Sequence, residues 1–251
     1  MRTRRHPATW KDHRIAVIGG NGGIGEQLCM QLQADGARVF CLDLVTGFDV
    51  TDDAVVHRWF DEHPVDTVIY AAGLTASGPL TRDGSIDQLR TLFNVNVAGM
   101  VSVAAAASSS LKRTRGRLIV LNSAFSLVTA PGYGAYSTSK AALSMAGTSL
   151  RPELAPATVT DCILGGVGTP IFDRAAERAG TEEASNVARR FRQRIARNSP
   201  EDAAARILRA GLRRTPRASV GPDAQVGAIA YRIAPSFTQK VLNTLIGDHF
   251  Q

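Results

Sequence analysis

An apolar run of strand length, Arg14 to Gly19, feeds straight into a turn holding Gly19, Gly20, Gly22, Gly23 and Gly25, and Ile24 to Leu32 then continues with helical spacing. Glycines let the backbone turn tightly and approach another group with no side chain in the way. A helix opening directly after such a turn offers its first N–H groups to an anion. An ordinary flexible turn is the competing reading, but it does not account for the buried strand and the helix on either side. Strand, glycine turn and helix together are the context a dinucleotide-binding loop requires. Gly19, Asn21, Gly23, Ile24 and Gly25 are therefore candidate contacts for a pyrophosphate.

The rest of the chain repeats the alternation. Arg38–Leu42, Thr67–Tyr70, Arg117–Leu121 and Val159–Leu164 read as strands, and helical patterns cover about 86–111 and 134–155. Such alternation means an α/β fold: a doubly wound parallel sheet of Rossmann type in three αβα layers. One gap is informative. Only residues 44–48 separate Asp43, at the end of the second strand, from Asp49, Val50 and Thr51. A parallel crossover takes a dozen or more residues, so this crossover should be abbreviated and the sheet's edge truncated. The 251 residues suit one domain, expected over 12–251 after a flexible basic tail at 1–11. A lid is expected at about 171–199 and an amphipathic C-terminal extension at about 223–251.

Composition narrows the function. Apolar residues make up 44% and charged residues 20%, which excludes disorder, and no apolar run nears the roughly 20 residues of a membrane span. The net charge is +7, but aromatics are 6% and the arginines are spread out, unlike a nucleic-acid binder. Arg2, Arg4 and Arg5 lead into Lys11, Asp12, His13 and Arg14 rather than an apolar stretch, so no signal peptide is expected. Cys29, Cys41 and Cys162 are widely spaced and odd in number, and read as unpaired buried residues of a reducing, cytoplasmic protein. The histidines show no i, i+4 pairing, so no metal site is expected.

Asp43 ends the second strand 24 residues after Gly19. A carboxylate there can accept hydrogen bonds from both adenosine ribose hydroxyls and repels a 2′-phosphate. No Lys or Arg stands at 20–22 or 44–46. This favours NAD(H) over NADP(H).

Tyr136 and Lys140 lie four residues apart and share one helix face. Together with Gly19, Gly23, Gly25, Asn96 in the run Asn94–Val97, and Ser123, they resemble the single-domain short-chain dehydrogenase/reductase family over about residues 12–222. Each alone has a bland reading as a surface or strand-end residue; the ordered set does not. The resemblance implies that Tyr136 transfers a proton and Ser123 hydrogen-bonds the substrate oxygen. Lys140 would hold the nicotinamide ribose, and Asn96 would position a water in a proton relay. Asp49, Val50, Ala71, Ala72, Gly73, Val167 and Thr169 join Tyr136 and Lys140 as implied cofactor contacts. A free tyrosine has a pKa near 10, and working near neutrality needs a fall of roughly 3 units, about 4 kcal/mol. One ammonium at about 4 Å supplies roughly that at an effective dielectric near 20, so Lys140 is expected to lower Tyr136.

The activity so implied is interconversion of a secondary alcohol and a ketone, by a homodimer or homotetramer. A non-catalytic NAD(H)-binding regulator on the same fold is the alternative. Departures from the family pattern occur at Ile18, at Tyr70-Ala71-Ala72-Gly73 and at Leu164-Gly165; the first two read as a replaced structural contact. The lid's arginines, 174, 178, 189, 190, 192, 194 and 197, read as a solvated face or as a lure for an acidic substrate. Ile171, Phe172, Phe191 and Ile195 suggest an apolar underside, and hence a hydrophobic substrate.

Overall fold

The computed structural model describes residues 9–180, 182–194 and 196–247. Six parallel strands form one sheet: β1 (Arg14–Ile18), β2 (Arg38–Leu42), β3 (Thr67–Tyr70), β4 (Arg117–Ser123), β5 (Thr158–Leu164) and β6 (Arg217–Val220), in the order β2-β1-β3-β4-β5-β6. The chain leaves β1 towards β2 on one side and returns to β3 on the other, so the order reverses between β1 and β3. Ligands of open α/β sheets bind at that reversal, beyond the carboxyl ends of the strands.

Period-two alternation sends side chains to both faces. Ala16 and Ile18 join one core with α2 (Asp53–Glu62), α4 (Gly99–Thr114) and α5 (Gly134–Glu153). Ile15 and Val17 join the other with α1 (Gly23–Ala34) and α8 (Pro200–Leu212). The expected doubly wound fold is observed. So is the truncated edge: β2 is the last strand on its side, and the space after Asp43 holds a single 3₁₀ turn, Leu44–Thr46. The crossover helix is α2, further along. Its Asp52 cap accepts from the Ala54 and Val55 N–H groups, and Val56 and Phe60 are its buried face.

Two expectations are corrected here. Cys29 and Cys41 are not separate thiols but a disulfide, with Cα atoms 6.3 Å apart; Cys162 is free and buried. The glycine turn brings them together, since a Cβ on Gly20 would lie 2.9 Å from Cys41 and so α1 starts close against β2. A disulfide fits poorly with the reducing compartment inferred from cysteine number. The tail boundary also moves. Residues 1–8, with Arg2, Arg4 and Arg5, lie outside the described residues, but Trp10 is 2% exposed, packs in the α1/α8 core and sits 5.1 Å beneath the Arg117 guanidinium.

Helix α3 (Ser85–Phe93) runs through a π-helical turn, Asn94–Ala98, into α4, making one 30-residue stretch that contains an 18-residue window of mean hydropathy 1.4. Length and composition alone would let it cross a membrane, which the reading of separate apolar runs did not anticipate. Met100, Val103, Ala104, Ala107 and Leu111 instead bury its α4 face in the core.

Candidate functional site

A cleft of about 1010 Å³ opens at the carboxyl ends of the strands. Its floor at one end is the glycine turn. Gly19 adopts φ +82°, and a Cβ there would lie 2.6 Å from the Ala72 nitrogen; a Cβ on Gly25 would collide with the Gly19 carbonyl oxygen. No side chain caps α1, whose N-cap is Gly22. The turn is thus a bare backbone cradle at a helix N-terminus, a fit for a dinucleotide's phosphates.

Asp43 lines the same end. Its carboxylate accepts from the Asn21 N–H at 3.1 Å and the Val45 N–H at 3.4 Å, while Thr46 and the Asp43 backbone close the 3₁₀ turn. Asp43 is thereby aimed by the loop and by its own turn. Asp49, Val50, Ala71, Ala72, Gly73, Val167 and Thr169 also line the cleft, with Gly19, Gly23, Ile24 and Gly25. Asn21 is not in its wall; its contribution is the N–H that holds Asp43.

Ser123, Tyr136 and Lys140 line the other part of the cleft. Ser123 closes β4, where its N–H donates to Asn122 Oδ1 at 2.8 Å and its Oγ accepts from the Phe125 N–H at 3.2 Å. Asn122 is in turn held by Asp161 of β5 at 3.0 Å. Tyr136 and Lys140 share the inner face of α5, and both are buried. Lys140 Nζ donates to the Leu121 carbonyl at 3.2 Å and lies 5.8 Å from the Tyr136 ring centre.

Asn96 does not line the cleft. It is fully buried in the π-helical turn, accepts from the Leu74 N–H at 2.8 Å, and donates to the Leu74 carbonyl at 3.0 Å and to Ser139 Oγ at 2.9 Å. Its side chain is engaged in holding the loop after β3 against α5, the helix of Tyr136. The departures at Ile18 and Tyr70 also resolve. They are paired neighbours on β1 and β3, and the Tyr70 hydroxyl donates to the Val95 carbonyl at 2.5 Å. Tyr70 ties β3 to the π-helical turn, which makes the change a substituted structural contact.

The expected effect of Lys140 on Tyr136 is not found. Burial pushes the Tyr136 phenol up to about 12, opposed only by a side-chain hydrogen bond with Ser123. Burial likewise lowers Lys140 to about 8, with Asp161 working against it. The ammonium is itself desolvated, so in the protein alone burial of the phenol outweighs any attraction.

Sequence reasoning missed much of the remaining wall. Phe125 stacks on Tyr133 at 5.0 Å, and Phe172 of α6 (Ile171–Ala179) meets Tyr133 at 5.9 Å and Tyr136 at 6.5 Å. Phe172 gives α6 an apolar inner side, whereas the side chains of Phe191 and Ile195 lie outside the described residues, as do those of Arg190 and Arg194. Asp173 of α6 pairs with Arg192 of α7 (Glu182–Arg194). Leu242 of α10 (Pro235–Gly247) reaches the cleft, and Gln239 accepts from the Thr129 N–H and donates to the Thr129 carbonyl. The extension therefore packs on its own subunit.

The sequence profile of the short-chain dehydrogenases matches residues 43–180, more than half of the chain. The chain belongs to this family. Its sheet is that of solved short-chain dehydrogenases, and it spans about 65% of the length of the first curated relatives it matches. It is 33% identical to the 3-oxoacyl-[acyl-carrier-protein] reductase MabA of Mycobacterium tuberculosis over 161 residues, 58% of this chain and 65% of that protein. It is 31% identical to the NADPH-dependent 1-acyldihydroxyacetone phosphate reductase of Schizosaccharomyces pombe, over 60% of this chain and 58% of the relative. A short-chain dehydrogenase from Burkholderia cenocepacia, solved with NADP, superposes with a TM-score of 0.77 at 22% identity, covering 93% of this chain and 98% of that one.

Proposed function

We propose that this dehydrogenase interconverts a secondary alcohol and its ketone with NAD(H), using Tyr136 as the proton donor and acceptor. The observation that carries the reading is one cleft lined at one end by the glycine cradle and Asp43, and further on by Ser123, Tyr136 and Lys140. Buried Tyr136 keeps its proton at neutral pH, so its Oη can give that proton to a ketone oxygen. Ser123 Oγ accepts from Phe125 N–H and its hydroxyl hydrogen-bonds Tyr136, which sets it beside the phenol where an entering carbonyl oxygen would meet both groups. A bound nicotinamide dinucleotide supplies or accepts the hydride. Gly19, Gly23, Ile24 and Gly25 would hold its pyrophosphate, and Lys140 its nicotinamide ribose. Asn96 acts through the backbone it fixes. The aromatic wall of Phe125, Tyr133 and Phe172 favours an apolar substrate body.

Some relatives use NADPH or bind NADP. The reading here stays with NAD(H), because the carboxylate of Asp43 would face a 2′-phosphate and the segment 44–50 carries no cation to offset it. Exposed Val226, Ile229, Ile233 and Phe237 support self-association as a dimer or tetramer, which light scattering would test. Steady-state kinetics on secondary alcohols and ketones with both cofactors test the function. NAD should give the higher kcat/KM, and Tyr136→Phe should abolish turnover while leaving NADH binding nearly intact. A preference for NADP overturns the cofactor assignment, and an active Tyr136→Phe overturns the chemistry.

A further inference from the structure

Helix α6 begins at the glycine cradle and ends elsewhere. A Cβ on Gly23 would lie 3.0 Å from Thr169 Cγ2, just before the helix starts. At the other end, Arg178 Nη2 donates to the Thr75 carbonyl at 3.2 Å. The eight steps from Pro170 to Arg178 span about 12 Å at 1.5 Å per residue. Thr75 is flanked by Leu74 and Ala76, both packed on the cluster of Leu92, Ala135 and Tyr136. Arg178 therefore stands at the Tyr136 end of the cleft, two helical turns from the pyrophosphate cradle.

Arg174 precedes it by one turn on the same face, and both line the cleft, as does Arg197. Like charges at i and i+4 are unfavourable. Arg178 carries the mark of this: burial, then Arg174, lower its affinity for its proton, and Glu177 opposes them. Acidic partners are used elsewhere. Asp173 is paired with Arg192. Among the described residues, the acids in the cleft wall are Asp43 and Asp49, on the segment after β2, and Asp223. Asp223 accepts from the Gly166 N–H at 2.6 Å and from Asn198 Nδ2 at 3.0 Å. A guanidinium has five N–H donors, so the one bond to Thr75 leaves others for a ligand at the cleft wall.

We infer that the substrate of this dehydrogenase has an apolar body ending in an anionic group, a carboxylate or a phosphate, and that Arg178, backed by Arg174, receives that group while the body lies along Phe125, Tyr133 and Phe172. This rests on the oxidoreductase reading above for the position of the reacting carbon. It assigns the lid arginines a specificity role instead of a solvated face.

The test compares a medium-chain oxo acid with its methyl ester and with the same ketone bearing a terminal phosphate in place of the carboxyl. Wild-type enzyme should favour the charged substrates, and the better of carboxylate and phosphate names the source of the anion. Arg178→Ala should cut the acid-to-ester ratio of kcat/KM about 10- to 100-fold, the range of a hydrogen bond to a charged group, chiefly through KM. Arg178→Lys should restore part of it, and the Kd for NADH should not move. Equal use of acid and ester by the wild type overturns the inference, as does an Arg178→Ala variant that loses NADH affinity instead. If no ketone is turned over, the oxidoreductase reading fails separately. Thermal shift then decides the anion site: stabilisation by the acid and not by the ester, lost in Arg178→Ala, upholds it, and equal shifts overturn it.

Discussion

Replacing Lys140 by methionine should make the protein more stable and inactive at once. Lys140 is 4% exposed, and burial lowers its pKa from 10.5 to about 8. At 1.36 kcal/mol per pH unit, holding the ammonium in the folded protein at neutral pH costs about 3 kcal/mol. Methionine fills a similar volume without charge. It also leaves the Leu121 carbonyl without the donor that now lies at 3.2 Å, a loss of about 1 kcal/mol. The net gain at pH 7 is about 2 kcal/mol, or several degrees in Tm for a chain of this size. The sign with pH follows from linkage. The folded pKa lies below the unfolded one, so between about 8 and 10.5 the unfolded chain binds more protons and wild-type stability rises with pH. The variant has no such term, and its advantage should be full below pH 8 and gone above about 10.5. Urea melts of wild type and Lys140→Met at pH 7 and at pH 10.5, at equal protein concentration without cofactor, measure both quantities. A variant less stable at pH 7, or an advantage independent of pH, would refute the argument that Lys140 is held against a desolvation cost.

Tyr136, raised to about 12 in the protein alone, is protonated at neutral pH, so kcat/KM for alcohol oxidation should climb with pH to at least 9, while ketone reduction stays flat over pH 6–8. A plateau of the oxidation profile at pH 7 would mean that a bound dinucleotide reverses the desolvation seen here. Asp43→Ser should lower kcat/KM with NAD by about 10- to 100-fold and with NADP much less; an equal fall with both would locate Asp43's effect in the turn it caps. Gly25→Ala should abolish NADH binding, because its methyl group would meet the Gly19 carbonyl oxygen, and an unchanged Kd by NADH fluorescence would contradict the cradle.

The glycine turn, the alternating strands and the short segment 44–48 were legible because each is a local pattern. A turn that must approach a backbone needs glycine, and five residues cannot hold a crossover helix. Helix α2 was harder to read: its buried positions, Val56 and Phe60, stand among charged residues, and only the Asp52 cap marks its start. The disulfide left no local trace, since Cys29 and Cys41 lie on a helix and a strand that meet only once the turn folds. Asn96 shows the limit for site residues. Its identity was readable, but that its amide is wholly engaged by Leu74 and Ser139 depends on a π-helical turn that no spacing rule announces.

The proton chemistry shows why the remainder was out of reach. Spacing placed Lys140 beside Tyr136 correctly, and the Coulomb estimate made from that spacing had the right size for a bare pair in a medium of uniform dielectric. What it omitted was α5 turning both residues into the core, with the apolar ring of Phe125 against Tyr136 at 5.9 Å and Leu121 offering Lys140 a carbonyl. Desolvation is a property of everything packed around a group, supplied here by β4, α5 and α6 together. It therefore reverses the sign that the pair alone would give. At neutral pH the protein alone therefore keeps Tyr136 protonated and holds Lys140 as an ammonium only against a desolvation cost.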